Sequence, residues 1–240
     1  MIDWSLIART LPEYMEGLRV SMLLLGISCV TAFVLAVPLA MARVSRHWWL
    51  WGPVWLFTYV IRGTPLLVQL FMVYFGLAQF EFVRESAVWP LLRSAWFCAW
   101  LTFAINSTAY TTEIFAGALK NTPSGEIEAA RSLGLSALQV FRRILWPSAM
   151  RRALPQYGNE IVMMMHATAI ASTVTLVELT RVARDVYYNY LAPVEAFGVV
   201  AVFYFTLTYA FVGLFKLLER RYLRHLAPRD TDVRGRGAPA

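Results

Sequence analysis

Charge is what this sequence has least of. Only 15% of its 240 residues are Asp, Glu, Lys or Arg, against roughly a quarter in an average soluble domain. A chain of this length makes one or two ordinary domains and still needs a wetted surface, so a larger core cannot absorb the deficit. Side chains that are 58% hydrophobic, with mean hydropathy +0.52, must face lipid. Cysteine is scarce too. Cys29 and Cys98 both fall inside apolar stretches, which gives no support to a disulfide scaffold or a metal cluster. No glycine-rich segment ends in Gly-Lys-Ser or Gly-Lys-Thr, so the chain lacks a phosphate cradle and should not hydrolyse ATP itself. Scattered Ser, His and Glu residues supply neither a convergent nucleophile–base pair nor a metal triad.

What is present is a set of apolar windows, each long enough to cross a hydrocarbon core of about 30 Å, which takes roughly 20 helical residues. Five are found: Leu18–Ala42, Pro53–Ala78, Ala95–Gly117, Leu154–Val177 and Val194–Leu218. The first has an acidic front (Asp3, Glu13, Glu16) and no small-residue cleavage site, so it is expected to stay in the mature protein. Basic residues in short loops are retained on the cytoplasmic side. Arg43 and Arg46 follow the first window; Lys120, Arg131, Arg142, Arg143, Arg151 and Arg152 follow the third; Arg220, Arg221 and Arg224 follow the fifth. The pattern predicts an N-terminus outside and a C-terminus in the cytoplasm. The net charge of +7 therefore reports topology, and no nucleic-acid partner is expected. The tail APRDTDVRGRGAPA, 227–240, is expected to be disordered.

Between the third and fourth windows lies GEIEAARSLGLSALQVFRRILWPSAM, 125–150. Thr122 or Ser124 can cap a short helix, Pro123 suits its first turn, and Glu126 and Glu128 favour its positive end. Gly134 supplies a stop. Ser136 and Gln139 form a Ser-x-x-Gln capping box for a second helix, and Trp146–Pro147 is expected to end it. Ile127, Ala130 and Leu133 line one side, and Leu138, Phe141 and Leu145 another. Two short amphipathic helices joined at a glycine make a cytosolic projection.

Glu128-Ala129-Ala130, Gly134, Ile144 and Pro147 resemble the cytoplasmic EAA loop of the inner-membrane permease subunits of binding-protein-dependent ABC importers. Trp146 stands where that family usually has leucine. RGTPLLVQLFMVYFG (62–76), NSTAYTTEIFAGAL (106–119) and LPQYGNEIVMMMHATA (154–169) resemble the polar-amino-acid branch, in particular its M-type histidine/lysine/arginine/ornithine permeases and the related arginine and opine permeases. The resemblance implies an all-α polytopic membrane protein with the type I ABC importer permease fold: five transmembrane helices and cytoplasmic coupling helices. Residues 1–226 would form the permease domain, with the coupling loop at 121–150. It implies a homologous second permease chain of the Q type, two copies of a cytosolic ATPase, a periplasmic solute-binding protein, and an inner-membrane location. ATP and Mg would be bound by the partner ATPase and no cofactor by this chain. A secondary transporter or a structural membrane subunit remains the alternative, although five helices do not divide into two inverted repeats.

Candidate pathway residues are Gln69, Asn106, Thr111, Glu160 and His166. A carboxylate in a membrane helix is expensive unless paired or wetted, and a cationic amino acid needs one. Glu160 can provide it, or it can pair internally with Arg151 or Arg152. His166 stands where the family often has lysine; it lines the cavity or is a hydrogen-bonded helix histidine. Gating or architectural roles are assigned to Arg62, Gly63, Thr64 and Pro65, which interrupt the second window, and to Glu113, a gating group or a member of an interhelical ion pair. Ser107 and Thr111 suit helix–helix glue. Glu178, Arg181, Arg184 and Asp185 either meet a binding protein or satisfy one another.

Overall fold

The computed structural model describes residues 2–223, so the expected disordered tail at 227–240 lies outside the described residues. Asp3 starts the first helix by accepting from the amides of Ser5 (2.9 Å) and Leu6 (3.1 Å). That helix, α1, runs over Trp4–Arg43, about 60 Å at 1.5 Å per residue. Its buried face is built of small residues at helical spacing, including Ser21, Ser28, Ala32, Ala36 and Ala40. Small residues let helix backbones approach closely where lipid gives no hydrophobic drive, and α1 packs along α6, Ala95–Lys120.

The second window is not one straight helix. α2, Trp48–Gly63, ends at an extended Thr64, and Pro65 caps α3, Leu66–Phe71. The chain then continues through a π turn, Met72–Gly76, and a 3-10 turn, Leu77–Gln79. The two halves meet at 101°. Two single-turn helices follow, α4 (Glu81–Arg84) and α5 (Trp89–Leu92), before α6.

The hairpin opens with α7, Ser124–Ser132, and α8, Ala137–Val140. Pro123 occupies the cap position with no side-chain cap bond, so neither Thr122 nor Ser124 caps and proline precedes the first turn. Gly134 has φ +76°, a left-handed geometry that costs glycine little, and its amide donates to the Arg131 carbonyl. The Ser136–Gln139 capping box is present.

The expected stop at Trp146–Pro147 does not occur. A π turn, Phe141–Leu145, carries the chain directly into α9, Trp146–Ala167. Pro147 follows the π turn directly inside a continuous helical run, so one backbone hydrogen bond is forgone there, and the wider turn before it gives the ring room. A 3-10 segment, Thr168–Val174, then leads through Thr175 at φ 65° to α10, Leu179–Tyr190, and α11, Pro193–Tyr222.

Each predicted window thus coincides with helix, but five crossings are not established. Among the described residues α1 and α11 are long and apolar enough to span, and up to four spans result if each bent pair counts as one. The polar patch of α6 and the break after Gly63 are the physical reasons. The core lies in three stacked clusters. One centres on Leu24, Leu70, Phe103 and Met165, a second on Ala36, Phe115 and Ala149, and a third on Tyr14, Leu179 and Val200.

Candidate functional site

Glu160 sits on α9 facing α6, where Ser107 Oγ donates to its Oε1 at 3.2 Å. It lines two adjoining cavities. The larger, about 350 Å³, is walled by Arg62, Tyr110, Glu113, Gln156, Asn159 and Met163 beside it. The smaller, about 180 Å³, adds Leu66, Asn106, Met164 and Ala167 and shares Tyr110, Glu160 and Met163 with the first. The expected pairing of Glu160 with Arg151 or Arg152 is not made. Arg152 lies two turns earlier in α9 and donates to Glu126 Oε1 at 2.9 Å.

The break in the second window is sealed by Gln69. Its Nε2 donates to the Ile61 carbonyl (2.7 Å), the Thr64 carbonyl (3.1 Å) and Thr64 Oγ1 (2.7 Å). Backbone freed inside a membrane protein must find such partners. Its Oε1 accepts from Asn106 Nδ2 at 3.1 Å, which ties the break to α6 and the smaller cavity. Gln69 therefore positions the wall, and Gly63, Thr64 and Pro65 shape it.

Glu113 lines the larger cavity but is already engaged. Arg43 Nε donates to its Oε1 at 2.8 Å and Thr58 Oγ1 donates to the same atom at 2.7 Å, joining α1, α2 and α6. Arg62 lies over the Tyr110 ring, with its guanidinium carbon 5.1 Å from the centroid. Thr111 is buried, lines neither cavity and has no hydrogen-bond partner among the described residues. His166 Nε2 and Thr208 Oγ1 are 2.9 Å apart, and His166 lines neither cavity.

The cluster after the fourth window is only partly satisfied within itself, since Arg184 Nε is buried with no partner among the described residues. Glu178 is fully buried, accepts from the amides of Thr180 (2.9 Å) and Arg181 (2.8 Å), and starts α10. Arg181 pairs with Asp185 at 3.0 Å, and Arg184 donates to the Ser172 carbonyl.

On the hairpin Glu128 and Ala129 are exposed and Ala130 is buried. Leu133 and Leu138, expected on amphipathic faces, are 82% and 65% exposed on either side of Gly134. The amphipathic face therefore ends at Ala130, because the chain turns at Leu133. Ile144 and Pro147 line a cavity of about 330 Å³ beside Glu126, Ser148 and Arg152. Glu126 accepts from Ser148 (2.9 Å) and Arg152 (2.9 Å), which fastens α7 to α9. Those two donors, the Ser148 hydroxyl first, hold the Glu126 carboxyl below the ordinary carboxylate range.

Residues 21–224 match the family described as binding-protein-dependent transport system inner membrane component. The chain belongs to that family. It is 44% identical over 216 residues to the histidine/lysine/arginine/ornithine transport system permease protein HisM of Escherichia coli (strain K12), covering 90% of this chain and 91% of that one. It is 41% identical over 217 residues to the octopine transport system permease protein OccM of Rhizobium radiobacter, covering 90% and 89%. Among solved structures, one described as an amino acid ABC transporter with histidines superposes with TM-score 0.82 at 30% identity over 92% of this chain and 99% of that one. An inward-facing MetNI methionine ABC transporter shares the fold, with TM-score 0.74 at 17% identity over 88% of this chain and 96% of that one.

The protein is thus a non-catalytic, multi-pass inner-membrane permease component of an ABC transporter, with an all-α fold related to type I importers. Sequence reasoning missed Tyr110, Gln156 and Met163 as cavity walls and Arg43, Thr58 and Ser148 as partners of carboxylates, and it offered Arg152 to Glu160 where the structure pairs it with Glu126. Tyr110 had a signal, since it lies one turn before Glu113. The partners of Glu113 and Glu126 did not, because they lie between 22 and 70 residues away in the chain.

Proposed function

We propose that this permease is the membrane subunit of an ATP-driven importer for polar, cationic amino acids, among them histidine, arginine, lysine and ornithine, or for the opines related to them. The observation that carries the reading is Glu160. It is a carboxylate within a membrane helix, it lines a polar cavity, and among the described residues it has one hydroxyl partner and no ion pair. Such a group is costly in hydrocarbon unless a cation reaches it. The names of the permeases it resembles, for basic amino acids and for octopine, point the same way.

The hairpin supplies the coupling. Glu128, Ala129 and Gly134, flanked by exposed Leu133 and Leu138, are the surface offered to a cytosolic ATPase, which binds ATP and Mg. Ala130, Ile144 and Pro147 hold the hairpin from within. Because α8 continues through the π turn into α9, motion of the hairpin is motion of the helix that carries Glu160. Closure of two ATPase subunits would shift the population between states that expose the cavity to each side of the membrane. A Q-type permease chain and a periplasmic binding protein complete the assembly. The chain crosses five times, with its N-terminus periplasmic.

The test is uptake by the reconstituted importer with its matching binding protein, comparing histidine, arginine, lysine, ornithine, glutamine and glutamate before and after Glu160→Gln. Preference for the cationic set, with its selective loss in the variant, is expected. Equal uptake of glutamate and no effect of the substitution would reject the reading.

A further inference from the structure

The cavity beside the hairpin, about 330 Å³, is lined by three guanidiniums, Arg143, Arg151 and Arg152, and one carboxylate, Glu126. The carboxylate is already engaged. Its Oε1 accepts from Arg152 and its Oε2 from Ser148, each at 2.9 Å, and Arg152 also donates to the Ser148 hydroxyl at 2.9 Å. Arg143 and Arg151 are exposed and pair with no carboxylate among the described residues. A guanidinium keeps its charge at any physiological pH, so the cavity presents two uncompensated positive charges. Their N–H edges match phosphate oxygens in bidentate geometry.

The place of the cavity narrows the choice of anion. Arg151 stands midway between Ala149 and Ala153, which are buried against α1 and α6. Two positions on a helix turn about 200°, so Arg151 projects from the face of α9 opposite that core. It precedes Leu154, where the fourth apolar window begins, by only about 5 Å along the helix axis. The cavity therefore faces outward at the boundary between hydrocarbon and water, the layer in which lipid phosphates lie and where basic pockets take anionic headgroups. It sits at the root of the hairpin, where Glu126 joins α7 to α9. The exposed leucines offered to an ATPase, Leu133 and Leu138, flank Gly134 at the turn instead. Ile144 and Pro147 give the cavity an apolar side against which glycerol carbons can rest.

We propose that Arg143 and Arg151 bind a phosphate group in this cavity, carried by the headgroup of an anionic phospholipid or by a soluble phosphate ester. The boundary position makes the lipid the expected source. The site shares no residue with the two cavities around Glu160.

The test uses the intact importer with its ATPase, free of nucleotide, in nanodiscs of equal parts phosphatidylglycerol and phosphatidylcholine. Native mass spectrometry counts the lipids that stay bound on release and reports the subunits present. Wild type should retain phosphatidylglycerol over phosphatidylcholine by about tenfold, the scale of one charge-assisted pair. Arg143→Gln/Arg151→Gln should bring that ratio near one, and Arg143→Lys/Arg151→Lys should keep part of it. Where the first pair does not assemble, Arg143→Gln and Arg151→Gln singly should each lower the ratio. Arg131→Gln/Arg142→Gln removes the same charge outside the cavity and should leave the ratio intact; equal loss there overturns the proposal, since general surface charge would do that. The soluble source is read by titrating glycerol 3-phosphate into the importer in nanodiscs of phosphatidylcholine alone. Binding to wild type that Arg143→Gln/Arg151→Gln abolishes assigns the site to a soluble ester. Failure of both arms overturns the proposal. Loss of the ATPase from Arg143→Gln/Arg151→Gln with the lipid ratio unchanged overturns it too, and assigns the two arginines to a protein contact.

Discussion

Glu113 and Glu160 are carboxylates on neighbouring helices, and the fold treats them oppositely. Glu113 has Arg43 at 2.8 Å, with the two side chains 22% and 16% exposed, and so it serves as a joint between α1, α2 and α6. Removing one partner of such a pair strands the other charge, which typically costs about 3–5 kcal/mol, whereas replacing both by apolar residues is often neutral. Glu113→Leu should therefore lower the thermal stability of the purified complex sharply, and the double variant Arg43→Met/Glu113→Leu should recover most of it. A double variant as unstable as the single would show that the pair is not what the site depends on. The sequence marked both glutamates as anomalous in an apolar setting. It had no means of showing which was paired, because Arg43 is 70 residues away from Glu113 and Arg152, the arginine nearest to Glu160 in the chain, pairs with Glu126.

At the scale of elements, the continuity of α8, the π turn and α9 joins the hairpin to the cavity. The second fastening is Glu126, which holds α7 to α9 through Ser148 and Arg152. Its carboxyl is held below the ordinary value of 4.5. A group depressed in the folded state contributes stability above its unfolded value and loses that contribution as pH falls through the folded one. Attachment of α7 should thus be constant through neutral pH and loosen only in acid below the ordinary carboxylate range. A spin-label distance between Ser132 and Arg142, each replaced by cysteine, reports it. The distribution should stay narrow from neutrality downward and broaden only in strong acid, whereas Glu126→Gln should be broad at neutral pH and insensitive to acid. A narrow, pH-independent distribution in the variant would remove Glu126 from this role. Gly134 and the Ser136–Gln139 box were legible because caps are local. The continuation past Trp146–Pro147 was not, since proline at a helix end and proline in a first turn have the same local sequence.

For the whole molecule, the charge asymmetry of the loops is the basis of the proposed orientation. With Cys29 and Cys98 replaced by serine, a membrane-impermeant maleimide applied to spheroplasts should label Ile2→Cys and Glu85→Cys, and should reach His47→Cys only after permeabilisation. Labelling of His47→Cys in intact spheroplasts would refute the proposed orientation. The windows were visible in the sequence because hydropathy is a sum over neighbours. Their shapes were not, since the 101° bend after Gly63 depends on Gln69 finding three acceptors at the break.

By itself the sequence determined that this chain lives in lipid, where its long helical stretches lie, and that a helical hairpin with a glycine turn stands between two of them. Each follows from properties of adjacent residues: transfer free energy, helical periodicity, capping and backbone freedom. Only the tertiary structure decided which polar groups are satisfied. It gave Glu113 to Arg43 and Glu126 to Arg152, and it left Arg62 and Glu160 facing the same cavity. The reason is physical. An ion pair or a cavity wall is set by the distance between helices far apart in the chain, and that distance depends on how small residues along α1 and α6 let the backbones approach.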